Sequence, residues 1–206
     1  MNRIAKLLVL VLALGVSGCI TVFPKTKPAQ LYRFDGPHNA TSGSIGTGPK
    51  VGVLRAAGTF TAAAAGDRIL TVTGSEVAYL AQSRWAQQAD TLFNEALVST
   101  FNAGPGPARL VARGEPAKAD YTLRLDVQRF EAAYDHGPRA APEVRIEVHL
   151  VLIRNSDRAL VRDETLSFAQ RARGNRVSSI VTAFNQAVGE TLTKVVADTN
   201  ASLQTP

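Results

Sequence analysis

Few side chains in this sequence are of the types that perform chemistry. It contains one cysteine, Cys19, and three histidines, His38, His136 and His149. The histidines lack the spacing of a zinc site, and no serine lies in a Gly-x-Ser-x-Gly turn. No glycine-rich loop is followed by a Lys-Ser or Lys-Thr pair, so ATP hydrolysis of the Walker type is not expected. The sequence predicts a protein that is not an enzyme and that uses no metal or other cofactor.

Cys19 ends a segment with the features of a secretory signal. Arg3 and Lys6 precede an apolar stretch over residues 7–16, which is shorter than the ~20 apolar residues of a membrane-spanning helix. Val16-Ser17-Gly18-Cys19 resembles a bacterial lipobox, whose cysteine becomes the acylated first residue of the mature protein. Cys19 is therefore the predicted lipidation site, and its acyl chains are the predicted membrane anchor. The alternative is an ordinary secreted protein with a cysteine near its cleavage site.

The charge of the chain does not indicate a nucleic-acid partner. The formal net charge is +6, and it falls to +4 when Arg3 and Lys6 leave with a signal over residues 1–18. The remaining basic residues are spread along the chain, whereas nucleic-acid binding needs a clustered basic stripe. With Cys19 acylated, no thiol is left for a disulfide, so packing alone must stabilise the fold.

The residues after the signal divide into a tether and a domain. Residues 19–49 are rich in proline and glycine, which predicts a lipidated N-terminus and tether with a short strand at 31–34. Residues 50–206 are predicted to form a single α+β domain. The length is sufficient for one hydrophobic core.

The elements of that domain follow from apolar periodicity. Alternation predicts strands near 49–54, 69–73, 77–80 and 109–113, and an antiparallel meander over 121–130, 143–153 and 159–169. Phe130 falls on the opposite parity from Leu123 and Leu125, which predicts a bulge near Arg129.

Two amphipathic helices are predicted beside these strands. One begins with Ser83 as its N-cap and ends before the Gly-Pro repeat at 104–107, and the other runs from about Ser178 to Leu203. The predicted fold is α+β: a two-layer sandwich of a mostly antiparallel sheet with two long amphipathic helices on one face.

Tyr79, Arg84 and Trp85 form the candidate partner interface. Trp85 is the single tryptophan, and tryptophan is enriched among the residues that anchor protein interfaces. The alternative is that Trp85 lies on the buried face of the first long helix. Its spacing to Ala89 and Leu92 favours burial.

Several segments resemble the ABC-type transport auxiliary lipoprotein family. The similarity runs from about Tyr32 to Leu203, and the following segments carry it: Asp67-Arg68-Ile69, Val77-Ala78-Tyr79-Leu80-Ala81, Ser83-Arg84-Trp85-Ala86 and Val181-x-Ala183-Phe184-Asn185-x-Ala187. The resemblance implies a lipoprotein that works with an ABC ATPase, a permease and a mammalian-cell-entry-domain substrate-binding protein. It implies no catalytic residues, and Cys19 is the one position whose role transfers.

The same resemblance implies where the protein works and with what partners. Members of the family serve lipid or hydrophobic-solute transport across the Gram-negative envelope, and this chain would dock the mammalian-cell-entry-domain partner at the outer membrane. Ile20 follows Cys19 where an inner-membrane retention signal would have aspartate, which favours outer-membrane sorting. A homo-oligomer is expected because a lipid conduit needs an enclosed passage. The alternatives are a generic outer-membrane structural or assembly lipoprotein and, more remotely, a secreted hydrolase.

Overall fold

The computed structural model describes residues 28–35 and 50–203, which form an open eight-stranded mixed sheet and three helices. The signal, Cys19 and most of the predicted tether lie outside the described residues. The strands are β1 Gln30–Tyr32, β2 Val51–Arg55, β3 Arg68–Thr73, β4 Glu76–Trp85, β5 Ala108–Val111, β6 Tyr121–Ala133, β7 Glu143–Arg154 and β8 Leu160–Arg171. The helices are α1 Ala62–Ala65, α2 Ala89–Ala103 and α3 Val177–Leu203.

The long strand β6 is the centre of the sheet. One edge of β6 pairs with β7, which pairs in turn with β8. The other edge pairs in parallel with β2 at its start and with β3 at its end. Between them the chain stays bonded to β6, because Val127 N–H donates to Thr59 O at 2.8 Å and Thr61 N–H donates to Val127 O at 2.8 Å. β2 and β3 are thus two halves of one strand, interrupted by α1.

This pairing gives the domain two distinct ends. The β3–β4 turn at 74–75 and the loops 134–142 and 172–176 meet where β6 ends, and we call this the upper end. The loops 104–107, 112–120 and 155–159 meet where β6 begins, and we call this the lower end. The helix α3 starts at the upper end and finishes at the lower end, where Leu203 lies beside Lys118 and Asn155.

The predicted antiparallel meander is confirmed, and the sheet as a whole is mixed. β6, β7 and β8 pair antiparallel, with a register shift between Val127 and Arg129 where the bulge was predicted. Outside the meander, four of the five remaining strand pairings are parallel, so the sheet that was predicted to be mostly antiparallel is mixed. Hairpin strands are joined by short turns that the sequence shows. Parallel partners are distant along the chain and leave no such local signal.

The first long helix starts later than predicted. β4 continues through Ser83 to Trp85, and α2 begins at Ala89 with Gln88 at the N-cap position. Ser83 is therefore a strand residue and not a helix cap. Trp85 N–H donates to Asp67 O at 2.7 Å, which holds this segment extended beside β3. The helical spacing from Trp85 to Ala89 arises by chance, because Trp85 is the last residue of β4 and Ala89 is the first residue of α2.

β1 and the residue Phe34 that follows it belong to the folded domain. β1 pairs in parallel with the last three residues of β4, and Phe34 after it is 1% exposed. The sequence placed this segment in the tether, although it recognised the strand. α3 packs on β7 and β8, and α2 packs on α3 and β5.

An aromatic cluster fills the space between β6 and the helices. Phe130 contributes from β6 and Phe184 from α3, with ring centroids 5.0 Å apart. Phe130 contacts five other rings, and we call the six together the aromatic cluster: Phe34, Phe60, Trp85, Phe93, Phe130 and Phe184. Edge-to-face and tilted contacts of this kind add to the burial of large apolar area.

Candidate functional site

Trp85, one of the predicted interface residues, is buried inside the domain. Its side chain is 2% exposed. The indole lies edge-on to Phe34 at 5.0 Å and to Phe184 at 5.2 Å, measured between ring centroids. In the folded chain Trp85 therefore packs in the core, as the alternative interpretation expected. Its contribution to any interface would be to hold β4 in place.

The other two predicted interface residues differ in exposure: Arg84 is exposed, and Tyr79 is partly buried against the core. Arg84 Nη1 donates to Asp67 Oδ2 at 2.7 Å, and both side chains are close to half exposed. Tyr79 Oη donates to Ala63 O at 3.0 Å, and the guanidinium of Arg68 lies 3.8 Å from the centre of its ring. These contacts fix the two side chains in defined positions on β4. Their role in partner binding stays a prediction.

Along part of β4, backbone N–H and C=O groups as well as side chains are available for contacts with another polypeptide. β1 covers only Ser83–Trp85, so β4 from Glu76 to Gln82 has β3 as its one partner strand among the described residues. Gln82 has a φ of 52°, and the register of β4 against β3 shifts beside it. Val77 and Leu31 are 57% and 65% exposed on this edge. We call Leu31, Val77, Tyr79 and Arg84 the β4 edge surface.

A free strand edge with exposed apolar side chains is suited to binding another polypeptide. The unpaired N–H and C=O groups can accept an added strand, and neighbouring side chains then set the specificity. The sequence analysis found Tyr79 and Arg84 but missed Leu31 and Val77. A signal was present for Leu31, since it points away from Tyr32 and Phe34 in an alternating strand.

His149, the histidine predicted on the polar side of a strand, lies between two carboxylates. Its Nε2 is 2.6 Å from Asp163 Oδ1, and its Nδ1 is 3.8 Å from Asp126 Oδ2. Asp126 also accepts hydrogen bonds from the N–H and Oγ1 of Thr59, at 2.8 and 3.0 Å. These hydrogen bonds help to lower the pKa of Asp126, against the effect of its partial burial. The arrangement links β6, β7 and β8 through the imidazole of His149.

The part of the chain that the structure describes has no group of three or more His, Cys, Asp or Glu side chains that could hold a metal ion. It has open grooves instead. One groove of about 410 Å³ lies between the end of α2 and α3 and includes Ala103, Pro105, Val196 and Ala197. No helix within residues 28–35 and 50–203 combines the length and the hydropathy of a membrane span.

Solved structures show that this fold is shared. A DUF330 protein from Xanthomonas campestris is 23% identical, with a TM-score of 0.68 over 85% of this chain and 97% of its own. An uncharacterized protein is 13% identical, with a TM-score of 0.65 over 84% of this chain and 99% of its own. The hypothetical protein CT253 from Chlamydia trachomatis is 9% identical, with a TM-score of 0.51 over 75% and 98% of the two chains. At these identities the likeness concerns the fold alone.

The family was predicted from sequence segments, and a match over most of the chain confirms it. None of the curated proteins matches the sequence. The sequence model of the ABC-type transport auxiliary lipoprotein component family matches residues 40–196. That span includes every strand from β2 onward and most of α3. The chain belongs to the family of ABC-type transport auxiliary lipoprotein components.

Proposed function

We propose that this protein is a non-enzymatic, lipid-anchored component of an ABC-type system that transports lipid or another hydrophobic solute. In that system it docks a mammalian-cell-entry-domain substrate-binding protein at the outer membrane. The observation that carries the proposal is the family match over residues 40–196. The lipobox-like segment that ends at Cys19 supports it.

The anchor is proposed to be the acyl chains on Cys19. The signal before Cys19 is too short to remain as a membrane-spanning helix. Ile20 in place of aspartate supports outer-membrane sorting, facing the periplasm.

The docking surface is proposed to be the β4 edge surface. It combines a strand edge that has no partner among the described residues with the exposed side chains of Leu31 and Val77, and Arg84 adds a half-exposed charge. Exposed apolar residues beside free backbone groups support binding of a partner strand. A homo-oligomer would place several copies of this surface around one passage.

Co-purification tests the proposal. The acylated protein is extracted in mild detergent from cells that express the transport system, and we expect a mammalian-cell-entry-domain protein to accompany it. The Val77→Asp variant should reduce the bound partner by roughly tenfold, which corresponds to about 1.4 kcal/mol. Val98→Asp is the matched control, since Val98 is also exposed, at 38%, but lies on α2.

Two outcomes would contradict the proposal. Extraction without any such partner would favour the alternative of an outer-membrane structural or assembly lipoprotein. Equal loss of partner with Val77→Asp and Val98→Asp would move the docking surface away from β4.

The anchor is tested separately by Cys19→Ser. This variant should release a folded domain in soluble form, as measured by fractionation and circular dichroism. A variant that stays with the membrane would show that another surface holds it there.

A further inference from the structure

We propose that the upper end of the domain faces the bilayer and that Arg139, Arg173 and Arg176 contact anionic lipid headgroups there. This proposal rests on the acylation of Cys19 under the proposed function. It adds an orientation of the domain on the membrane and a second membrane contact besides the acyl chains.

The direction of β1 places the anchor on the upper side. β4 starts at the upper end, at Glu76, and runs toward the lower end. β1 runs parallel to it, with Gln30 opposite Ser83 and Tyr32 opposite Trp85. Residues that precede Gln30 therefore approach β1 from the upper side.

The short length of chain before β1 limits where Cys19 can lie. Nine residue steps separate Cys19 from Pro28, and they span at most about 30 Å. Ser83 lies seven residues beyond Glu76, so β1 is roughly 20 Å or less from the upper end. The lower end is about 30 Å from β1 in the opposite direction, at ~3.3 Å per residue along β6. The segment between Cys19 and Pro28 is long enough for the anchor to reach the upper end. To reach the lower end, the same segment would have to reverse direction and be fully extended.

The upper end presents its arginines on one connected surface. The two loops that carry them are joined by Asn175, which donates to Pro138 O at 3.1 Å and accepts from Tyr134 Oη at 2.8 Å. Arg139, Arg173 and Arg176 are exposed, and none forms an ion pair with another described residue. Since the guanidinium group suits phosphate oxygens, these side chains fit the headgroups of anionic phospholipids.

The carboxylates near these arginines are already paired. Arg171 donates to both oxygens of Asp135, at 2.8 and 2.7 Å, and to Glu143 Oε1 at 3.1 Å. Arg145 adds hydrogen bonds to the same two carboxylates. The bidentate pair with Arg171 holds the pKa of Asp135 well below its usual range, so it stays ionised and paired. Glu76, where β4 starts, is exposed and forms no ion pair with another described residue, so three unpaired arginines against one unpaired carboxylate leave the upper end with a net positive charge.

Charge alone would not select the upper end, because the lower end also has unpaired cations. Lys50, Arg113 and Arg158 form no ion pair with the other described residues. The position of the anchor is what distinguishes the two ends. The lower-end residues therefore provide a control with an equal change of charge.

The experiment measures which end of the acylated full-length protein contacts the membrane. Ser178→Cys near the upper end and Ser156→Cys at the lower end are labelled with a fluorophore, since the thiol of Cys19 is blocked by acylation. The protein is reconstituted in vesicles of equal parts phosphatidylglycerol and phosphatidylcholine, or in phosphatidylcholine alone, with a headgroup-attached spin label as quencher. We expect quenching at position 178, not at 156, and less of it without phosphatidylglycerol.

The charge variants test the role of the arginines. Arg139→Gln, Arg173→Gln and Arg176→Gln together should lower the population of the membrane-contacting orientation on the order of 10- to 100-fold, since each basic residue near an anionic surface adds about 1 kcal/mol. Lys50→Gln, Arg113→Gln and Arg158→Gln together should leave quenching at position 178 unchanged. Thermal unfolding of both triple variants confirms that they fold.

Each contrary result has a distinct meaning. Equal quenching at 156 and 178, or an equal loss with the two triple variants, overturns the proposed orientation while leaving the anchor intact. Failure of the protein to float with vesicles of either composition overturns the anchor, and the orientation with it. Partner co-purification is unaffected by either result, so the docking role is judged separately.

Discussion

The two faces of the meander are held by different forces. On the inner face, Phe130 of β6 packs in the aromatic cluster, and Leu150 of β7 is fully buried. On the outer face, most side chains are charged, and opposite charges face each other across β6 and β7, as in Arg129 with Glu147 and Glu131 with Arg145. We call these side chains the outer face: Arg124, Asp126, Arg129, Glu131, Arg145, Glu147, His149 and Asp163.

The two faces are expected to contribute differently to the stability of the domain. Burying an aromatic or aliphatic side chain contributes several kilocalories per mole, and removing it also leaves a cavity. Exposed ion pairs contribute ~0–1 kcal/mol, because water and salt screen them. Most outer-face pairs are about half exposed on at least one side, as in Arg124–Asp126 and Arg129–Glu131. We therefore expect stability to come from the inner face.

The largest effect is expected for Trp85→Ala. Trp85 joins rings from the N-terminal segment, β6 and α3, so its loss should lower the free energy of unfolding by about 3–5 kcal/mol. Urea unfolding followed by circular dichroism measures this. Arg84→Ala, one residue away, is the control and should cost less than about 1 kcal/mol. Similar losses in both variants would contradict the comparison.

The second largest effect is expected where the chain that connects β2 and β3 passes close to the backbone of β6, at Gly58. A Cβ at Gly58 would lie 1.7 Å from Leu125 O, so Gly58→Ala must displace the chain from β6. We expect a loss of ~1–3 kcal/mol in the free energy of unfolding, as for other overpacking changes.

Gly66→Ala is the matched control for this substitution. A Cβ at Gly66 has no atom within 4 Å, and its φ is negative, so the change should be neutral or slightly stabilising. A neutral Gly58→Ala would mean that the chain does not approach β6 so closely there.

A smaller effect is expected on the outer face. Asp163→Asn removes the charge that lies 2.6 Å from His149 Nε2, and we expect a loss of ~0.2–1 kcal/mol that shrinks in high salt. Leu150→Ala, at the neighbouring position on the inner face, should cost about 2–5 kcal/mol in either salt condition. A salt-independent loss above that of Leu150→Ala would reverse the comparison of the two faces.

The smallest effect, on the pH dependence of stability, concerns Asp135. Its pKa is lowered in the folded state by hydrogen bonds from Arg171, whereas an unfolded aspartate has a pKa of ~3.9. The pair therefore stabilises the fold above that pH, and the contribution is lost as pH falls through the folded pKa. Asp135→Asn should lower stability at neutral pH, and its difference from wild type should shrink between about pH 5 and 2.

Urea unfolding at a series of pH values measures this difference. A constant difference between the two proteins across the series would show that the carboxylate charge of Asp135 does not stabilise the fold.

Local patterns in the sequence predicted the meander, its bulge and the last helix. Alternation in β6 and β7 is strong because one face is buried and the other is charged, and the parity change at Phe130 locates the bulge. The start of α2 was wrong because Trp85 closes a strand whose last apolar residue happens to continue the helical spacing. Contacts with residues distant in the sequence decide between the two: Trp85 N–H donates to Asp67 O, and Ala86 N–H donates to Tyr32 O.

The parallel pairings and the candidate site depend on contacts between distant residues. Proline and glycine around β1 indicate a tether, yet Phe34 is buried because Trp85 and Phe130 pack against its ring. Tyr79 and Arg84 were found by their type and by the family resemblance. The edge of β4 that has no partner strand within residues 28–35 and 50–203 could not be found, because it depends on how few residues of β4 pair with β1.

The position of Phe34 also has a consequence for the time at which the domain can fold. Asp35 N–H donates to Asn185 Oδ1, across 150 residues of sequence. A ribosome makes Phe34 early and Phe184 late, at ~5–20 residues per second. For the roughly 8–30 s between them, the nascent chain lacks the ring of Phe184 that completes the aromatic cluster. The aromatic cluster, and with it the final position of the N-terminal segment, is therefore completed only after Phe184 of the last helix is available.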